Sequence, residues 1–172
     1  MTEHATHRRD LLREPDRNKF LRHYHLLTDL GFAPEILDST ADTLVTQKYP
    51  TLVDWLSSNP TETELKTMRR RLLAFLKKVH REAGICHRDT HIRNFVLKEE
   101  RPLLIDPTLA IESDRDRPCY DLVGPGPSGV AIPLEHACQG NNNCFGVWWD
   151  APEPFEQTLG TFFGPLPRSS LR

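Results

Sequence analysis

Two short runs bring together the side chains best suited to chemistry. One is His87-Arg88-Asp89-Thr90-His91-Ile92-Arg93-Asn94; the other is Leu103-Leu104-Ile105-Asp106, whose acid lies twelve residues beyond Asn94. Carboxylate and amide oxygens are hard donors of the kind Mg²⁺ takes. A carboxylate can also orient or accept the proton of a hydroxyl. Each residue alone has an ordinary structural use: Asp89 and Asn94 can cap a turn, and Asp106-Pro107 can be a strand exit. A bare H-x-D-x4-N spacing arises by chance in about one chain of this size in a hundred. The surrounding elements therefore decide what it means.

Those elements follow a regular order. Before the first run, Leu65, Met68, Leu72, Phe75, Leu76 and Val79 recur every three or four residues, so one face of a helix is apolar. Asn59 is the expected N-cap, Pro60 the first helical residue, Glu62 a favourable first-turn charge and Gly84 the stop. After the loop, Phe95–Lys98 and Leu103–Asp106 read as the strands of a hairpin about the turn Glu99-Glu100-Arg101-Pro102. Nearer the N-terminus, Asp16 caps a helix running to about Leu30, with Phe20, Tyr24 and Leu27 on one face and Gly31 after it. Proline favours extended chain in Phe32–Leu37, Leu44–Gln47 reads as a strand, and Thr51–Ser57 as a short helix.

Helix, H-R-D-x-x-x-x-N loop, hairpin and closing acid, in that order over residues 72–106, resemble the catalytic segment of the protein-kinase-like fold. The H-R-D form and the short Ile105-Asp106 position look more like the lipopolysaccharide-kinase and RIO-type branches than typical signalling kinases, and the chain as a whole resembles those or the aminoglycoside phosphotransferases. The resemblance implies an α+β protein, mainly the helical C-lobe with a reduced N-lobe. It would form one domain over 1–172, with an N-lobe remnant at 1–48 and a C-lobe at 49–172. It implies an ATP-dependent phosphotransferase that moves the γ-phosphate to a hydroxyl on a sugar, glycan, small molecule or protein Ser/Thr. Asp89 would act on the hydroxyl, Asn94 and Asp106 would bind Mg²⁺, and His87 would brace the loop. The run Leu44–Pro50 followed by Thr51–Leu56 is similar to the last N-lobe strand, hinge and first C-lobe helix, which sets Gln47, Lys48 and Tyr49 against adenine. Asp121, in Tyr120-Asp121-Leu122, resembles the acid that anchors the catalytic loop.

The upstream half departs from that pattern. The first glycine is Gly31 and the first lysine is Lys19, inside the first helix, so no glycine-rich loop or strand lysine precedes it. About 15 residues come before that helix, too few for a three-stranded lobe front at ordinary strand lengths. Glu14 matches the helix glutamate in kind but lacks a lysine partner, and Arg8, Arg9 and Arg13 are replacement cations by position only. Gly124-Pro125-Gly126-Pro127-Ser128-Gly129-Val130 spells a glycine-rich loop. Its two prolines, however, remove backbone N–H groups that a phosphate cradle needs, so Gly124–Pro133 reads as a turn-rich loop. The alternative reading is therefore a catalytically inactive pseudokinase that serves as a binding or regulatory module. A partner chain could also complete the nucleotide site.

Composition sets the outer limits. The chain has 172 residues, 38% hydrophobic and 27% charged, with a net charge of −2; this gives no sign of nucleic-acid or membrane-surface binding. Its N-terminus has no apolar run, and no stretch approaches the ~20 apolar residues of a membrane span. Cys86, Cys119, Cys138 and Cys144 show no paired spacing, which suits a reducing compartment and a cytoplasmic protein. Cys119, His136, Cys138 and Cys144 match no standard zinc spacing. Ten of the 14 prolines lie at or beyond Pro102 and seven of the nine glycines at or beyond Gly124, so the last third is turn-rich. Its aromatic residues, Trp148, Trp149, Phe155, Phe162 and Phe163, are expected to pack on the core.

Overall fold

A computed structural model describes residues 5–90, 92–112 and 121. His91, the loop at 124–133, the C-terminal aromatic residues and Cys119, His136, Cys138 and Cys144 lie outside the described residues. The chain begins with strand β1, Thr6–Asp10, followed by helix α1, Arg17–Asp29. The Asp16 carboxylate accepts from the Lys19 N–H at 2.9 Å and caps α1. Phe20, Tyr24 and Leu27 form the buried face of α1, joined by His23. Gly31 (φ 72°) then reverses the chain, and the Phe32 N–H reaches back to the Leu27 carbonyl at 2.7 Å.

Strands β2 (Ile36–Ser39) and β3 (Thr43–Gln47) complete an antiparallel sheet of order β1-β3-β2. The register sets Thr6 opposite Gln47 and Asp10 opposite Thr43. The segment before α1, too short for a three-stranded lobe front, supplies one strand of this sheet. That strand docks on β3 from across the helix and needs no hairpin partner of its own. The N-terminal part is thus a three-stranded sheet carrying one helix.

Helix α2 (Leu52–Ser57) and helix α3 (Glu62–Ala83) follow, each opened by a capping box. In the first, Thr51 and Asp54 exchange hydrogen bonds; in the second, Thr61 and Glu64 do so. The cap of α3 is therefore Thr61, two residues later than the Asn59-Pro60 signal indicates. Asn59 takes φ 55° and donates to Leu56 O, finishing α2 instead. Gly84 ends α3 in the left-handed conformation.

Strand β4 (Ile85–Cys86) pairs with β7 (Ile111–Glu112), and β5 (Phe95–Lys98) with β6 (Arg101–Leu104). The β5–β6 turn is the two-residue Glu99-Glu100, with φ 51° and 64°. Arg101 and Pro102 thus belong to the strand, where Pro102 faces Leu97. Phe75 packs edge-on between Phe32 and Phe95, with ring centroids 5.8 and 6.4 Å apart. The Leu104 N–H bonds Phe32 O and the Leu97 N–H bonds Pro50 O, both at 2.8 Å. The hairpin is therefore tied to the turn after α1 and to the segment before α2. Among the described residues, no helix is long and apolar enough to cross a membrane. Cys86 is disulfide-bonded, although the four cysteines show no paired spacing in the sequence.

Candidate active site

Between β4 and β5, the loop is held from inside the protein. The N–H groups of His87 and Arg88 donate to Oδ2 and Oδ1 of Asp121 at 2.6 and 2.8 Å. Arg88 has φ 68°, and a positive φ lets successive N–H groups converge on one anion. Asp121 is 3% exposed. Burial raises its pKa; the His87 charge and the two amide hydrogen bonds pull the other way without prevailing.

His87 is fully buried, and its Nε2–H donates to the Ile105 carbonyl at 2.9 Å. This links the loop to the residue before Asp106. Asn94 Nδ2 donates to both the backbone carbonyl and Oδ2 of Asp89 at 2.8 Å. The Ile105 N–H in turn donates to Asn94 O at 3.0 Å. Asp89, Asn94 and the end of the β6 strand thus form one hydrogen-bonded unit. With its nitrogen turned onto Asp89, Asn94 leaves its Oδ1 as an acceptor.

Asp106 (φ 61°) caps a single helical turn, Pro107–Leu109. Its Oδ1 accepts from the Thr108 hydroxyl at 2.5 Å, and its Oδ2 pairs with Arg9 Nη1 at 2.9 Å. Arg9 lies on β1 and also grips Glu14, through Nε at 3.0 Å and through Nη2. The Thr108 hydroxyl sits 2.9 Å from Glu14 Oε2 and 3.3 Å from Arg9 Nη2. Phe20 supports the guanidinium from below, 4.8 Å from ring centroid to Cζ. Burial alone would raise the Asp106 pKa, but hydrogen bonds from Arg9 and Thr108 and the Arg9 charge hold it below the usual carboxylate range. Burial likewise disfavours the Arg9 charge, and its bonds to Asp106 and Glu14 outweigh that, raising its pKa.

Glu14, which lacks a lysine partner, is paired instead with Arg9, one of the three arginines that position alone offered as replacement cations. The available signal was strand alternation: Arg8 and Arg9 must face opposite sides of β1, so only one can turn inward. Thr108 carried no signal at all. Of the residues expected against adenine, the Gln47 N–H already donates to Glu35 O, and the Lys48 N–H to Ala5 O, both at 2.9 Å. Both are engaged within the chain by the sheet and its flank. Tyr49 lies beneath the Lys98 ammonium, 5.6 Å from its ring centroid.

Among the described residues, no three His, Cys, Asp or Glu side chains cluster as a metal site would need. The donors present fit Mg²⁺ nonetheless, because that ion is commonly held by one or two protein oxygens together with water and substrate phosphates.

No protein-family model matches the chain, and no curated protein does either. Among solved structures, it is similar to the kinase PK-1 of Cydia pomonella granulovirus. The match has 13% sequence identity and a TM-score of 0.54, and covers 79% of this chain and 53% of that one. The fold is kinase-like. At that identity the likeness concerns fold alone, and the chain spans about half the length of the viral kinase.

Proposed function

We propose that this chain is an ATP-dependent phosphotransferase that moves the γ-phosphate to a hydroxyl acceptor. The observation that carries the reading is the meeting of three separate pieces at Asp106: the Asp89–Asn94 loop through Ile105, the β6 strand, and Arg9 from β1. Asp89 orients the acceptor hydroxyl and takes its proton as the oxygen attacks the γ-phosphorus. The bond to the ADP oxygen breaks in the same displacement. Asn94 Oδ1 and an Asp106 oxygen would hold Mg²⁺, which supplies neutralisation of phosphate charge. Arg9 takes the place of the strand cation that steadies the phosphates, and Glu14 keeps it extended. His87 and Asp121 keep the loop in register with Asp106. Calorimetric titration with Mg-ATP tests the reading: binding should be lost in Asp106→Ala, and phosphate transfer in Asp89→Ala. Wild-type protein that binds no Mg-ATP would refute it.

A second reading, an inactive kinase-like binding module, is favoured by one specific observation. Two backbone donors expected to meet adenine, those of Gln47 and Lys48, are occupied. This reading requires that Mg-ATP leave the melting temperature unchanged.

A further inference from the structure

We propose that Arg9 is a shared counter-ion that makes divalent-cation binding and nucleotide binding depend on each other. The proposal rests on the phosphotransferase reading and concerns the regulation of the same site. Arg9, Glu14 and Asp106 together carry one positive and two negative charges, a net −1 that favours a cation. Yet both Asp106 oxygens are engaged, Oδ2 by Arg9 at 2.9 Å and Oδ1 by Thr108 at 2.5 Å. A divalent cation approaching Oδ2 therefore meets the guanidinium first, and like charges at such distances repel strongly.

The contacts with Glu14 determine where Arg9 goes when a cation takes Asp106. Nε and Nη2 stay on Glu14 while Nη1 is the donor released. The guanidinium thus pivots about Glu14 rather than leaving the site. Its planar fork of donors can serve a carboxylate and a phosphate oxygen together, which a lysine ammonium does less well. Thr108 has one hydroxyl proton between two carboxylates, 2.5 Å from Asp106 and 2.9 Å from Glu14, so it can follow either partner. Nucleotide phosphates give the freed Nη1 an anion, and the cation gives Asp106 a partner. Each ligand removes the obstacle to the other, and such coupling is reciprocal.

Mn²⁺ binding, followed by electron paramagnetic resonance with and without a non-hydrolysable ATP analogue and corrected for Mn²⁺ held by the analogue itself, tests this. In wild type, the analogue should tighten Mn²⁺ binding by about tenfold. Arg9→Met should bind Mn²⁺ alone about tenfold more tightly than wild type, and the analogue should then add little. Arg9→Lys should show reduced coupling, and it carries the test if Arg9→Met does not fold. Unchanged coupling in a folded Arg9 variant overturns the proposal, as does Mn²⁺ affinity that does not rise in Arg9→Met. Asp106→Asn separates the two ideas. Mn²⁺ binding that survives this change defeats the phosphotransferase reading, whereas Asp106-dependent binding indifferent to Arg9 defeats only the counter-ion.

Discussion

The two walls that meet at Asp106 are built by different means. On the loop side, backbone amides do most of the work: two converge on Asp121, and Ile105 offers its N–H to Asn94 and its C=O to His87. On the β1 side, side-chain charges do it, through Arg9, Glu14 and Thr108. Backbone hydrogen bonds to a buried carboxylate have one arrangement and resist change. The Arg9–Asp106 ion pair, partly exposed on both sides, can exchange partners more readily. The loop wall is thus suited to holding its side chains still, and the β1 wall to changing partners.

The contrast can be broken from its stiff side first. Asp121→Ala leaves two buried amides without an acceptor and should cost about 3 kcal/mol in denaturant unfolding, with phosphate transfer abolished. Loss of less than about 1 kcal/mol would show that the loop stands without its anchor. On the other wall, Glu14→Gln keeps the shape and removes the charge. It should weaken nucleotide binding by about tenfold while changing stability by about 1 kcal/mol or less. A stability loss equal to that of Asp121→Ala would erase the distinction between the walls.

Smaller effects sharpen it. His23 is buried, and its two ring nitrogens have no hydrogen-bond partner among the described residues. Burial, helped by the charges of Lys19 and Arg22, lowers its pKa from the ordinary 6.5. The unfolded chain therefore protonates first. The stability contribution is present above pH 6.5 and is lost as pH falls below it. His23→Leu should flatten that acid-side loss in thermal melts at pH 5 to 7; an unchanged slope would assign it elsewhere. Smallest of all, the turn Glu99-Glu100 sets two non-glycine residues at positive φ. Replacing both, as Glu99→Asn with Glu100→Gly, should raise stability by about 1 kcal/mol, read by the denaturant midpoint. No gain would mean that the Arg71–Glu100 pair offsets the strain.

What could be read from the sequence followed the same division. Asp16 as a cap, the apolar stripe of α3, Gly84 and the β5–β6 hairpin all depend on residues within a few positions of each other. Local spacing therefore made them legible. Even there, competing signals shifted a boundary: Asn59-Pro60 was a plausible cap, but the reciprocal Thr61–Glu64 pair satisfies more donors. The pairing of β1 with β3, and the grip of Arg9 on Asp106, join residues separated by about forty and about a hundred positions. No periodicity encodes such contacts. Thr108 stayed hidden because its role comes from standing between two carboxylates that only the fold brings together.

The two amides that fix the loop after β4 find their acceptor 34 and 33 positions downstream. During synthesis, Asp89, Asn94 and Asp106 are all made before the residue that locks them into place. A fragment ending at 112 would contain every residue proposed to touch the phosphates, yet its loop would lack the clasp that sets its shape.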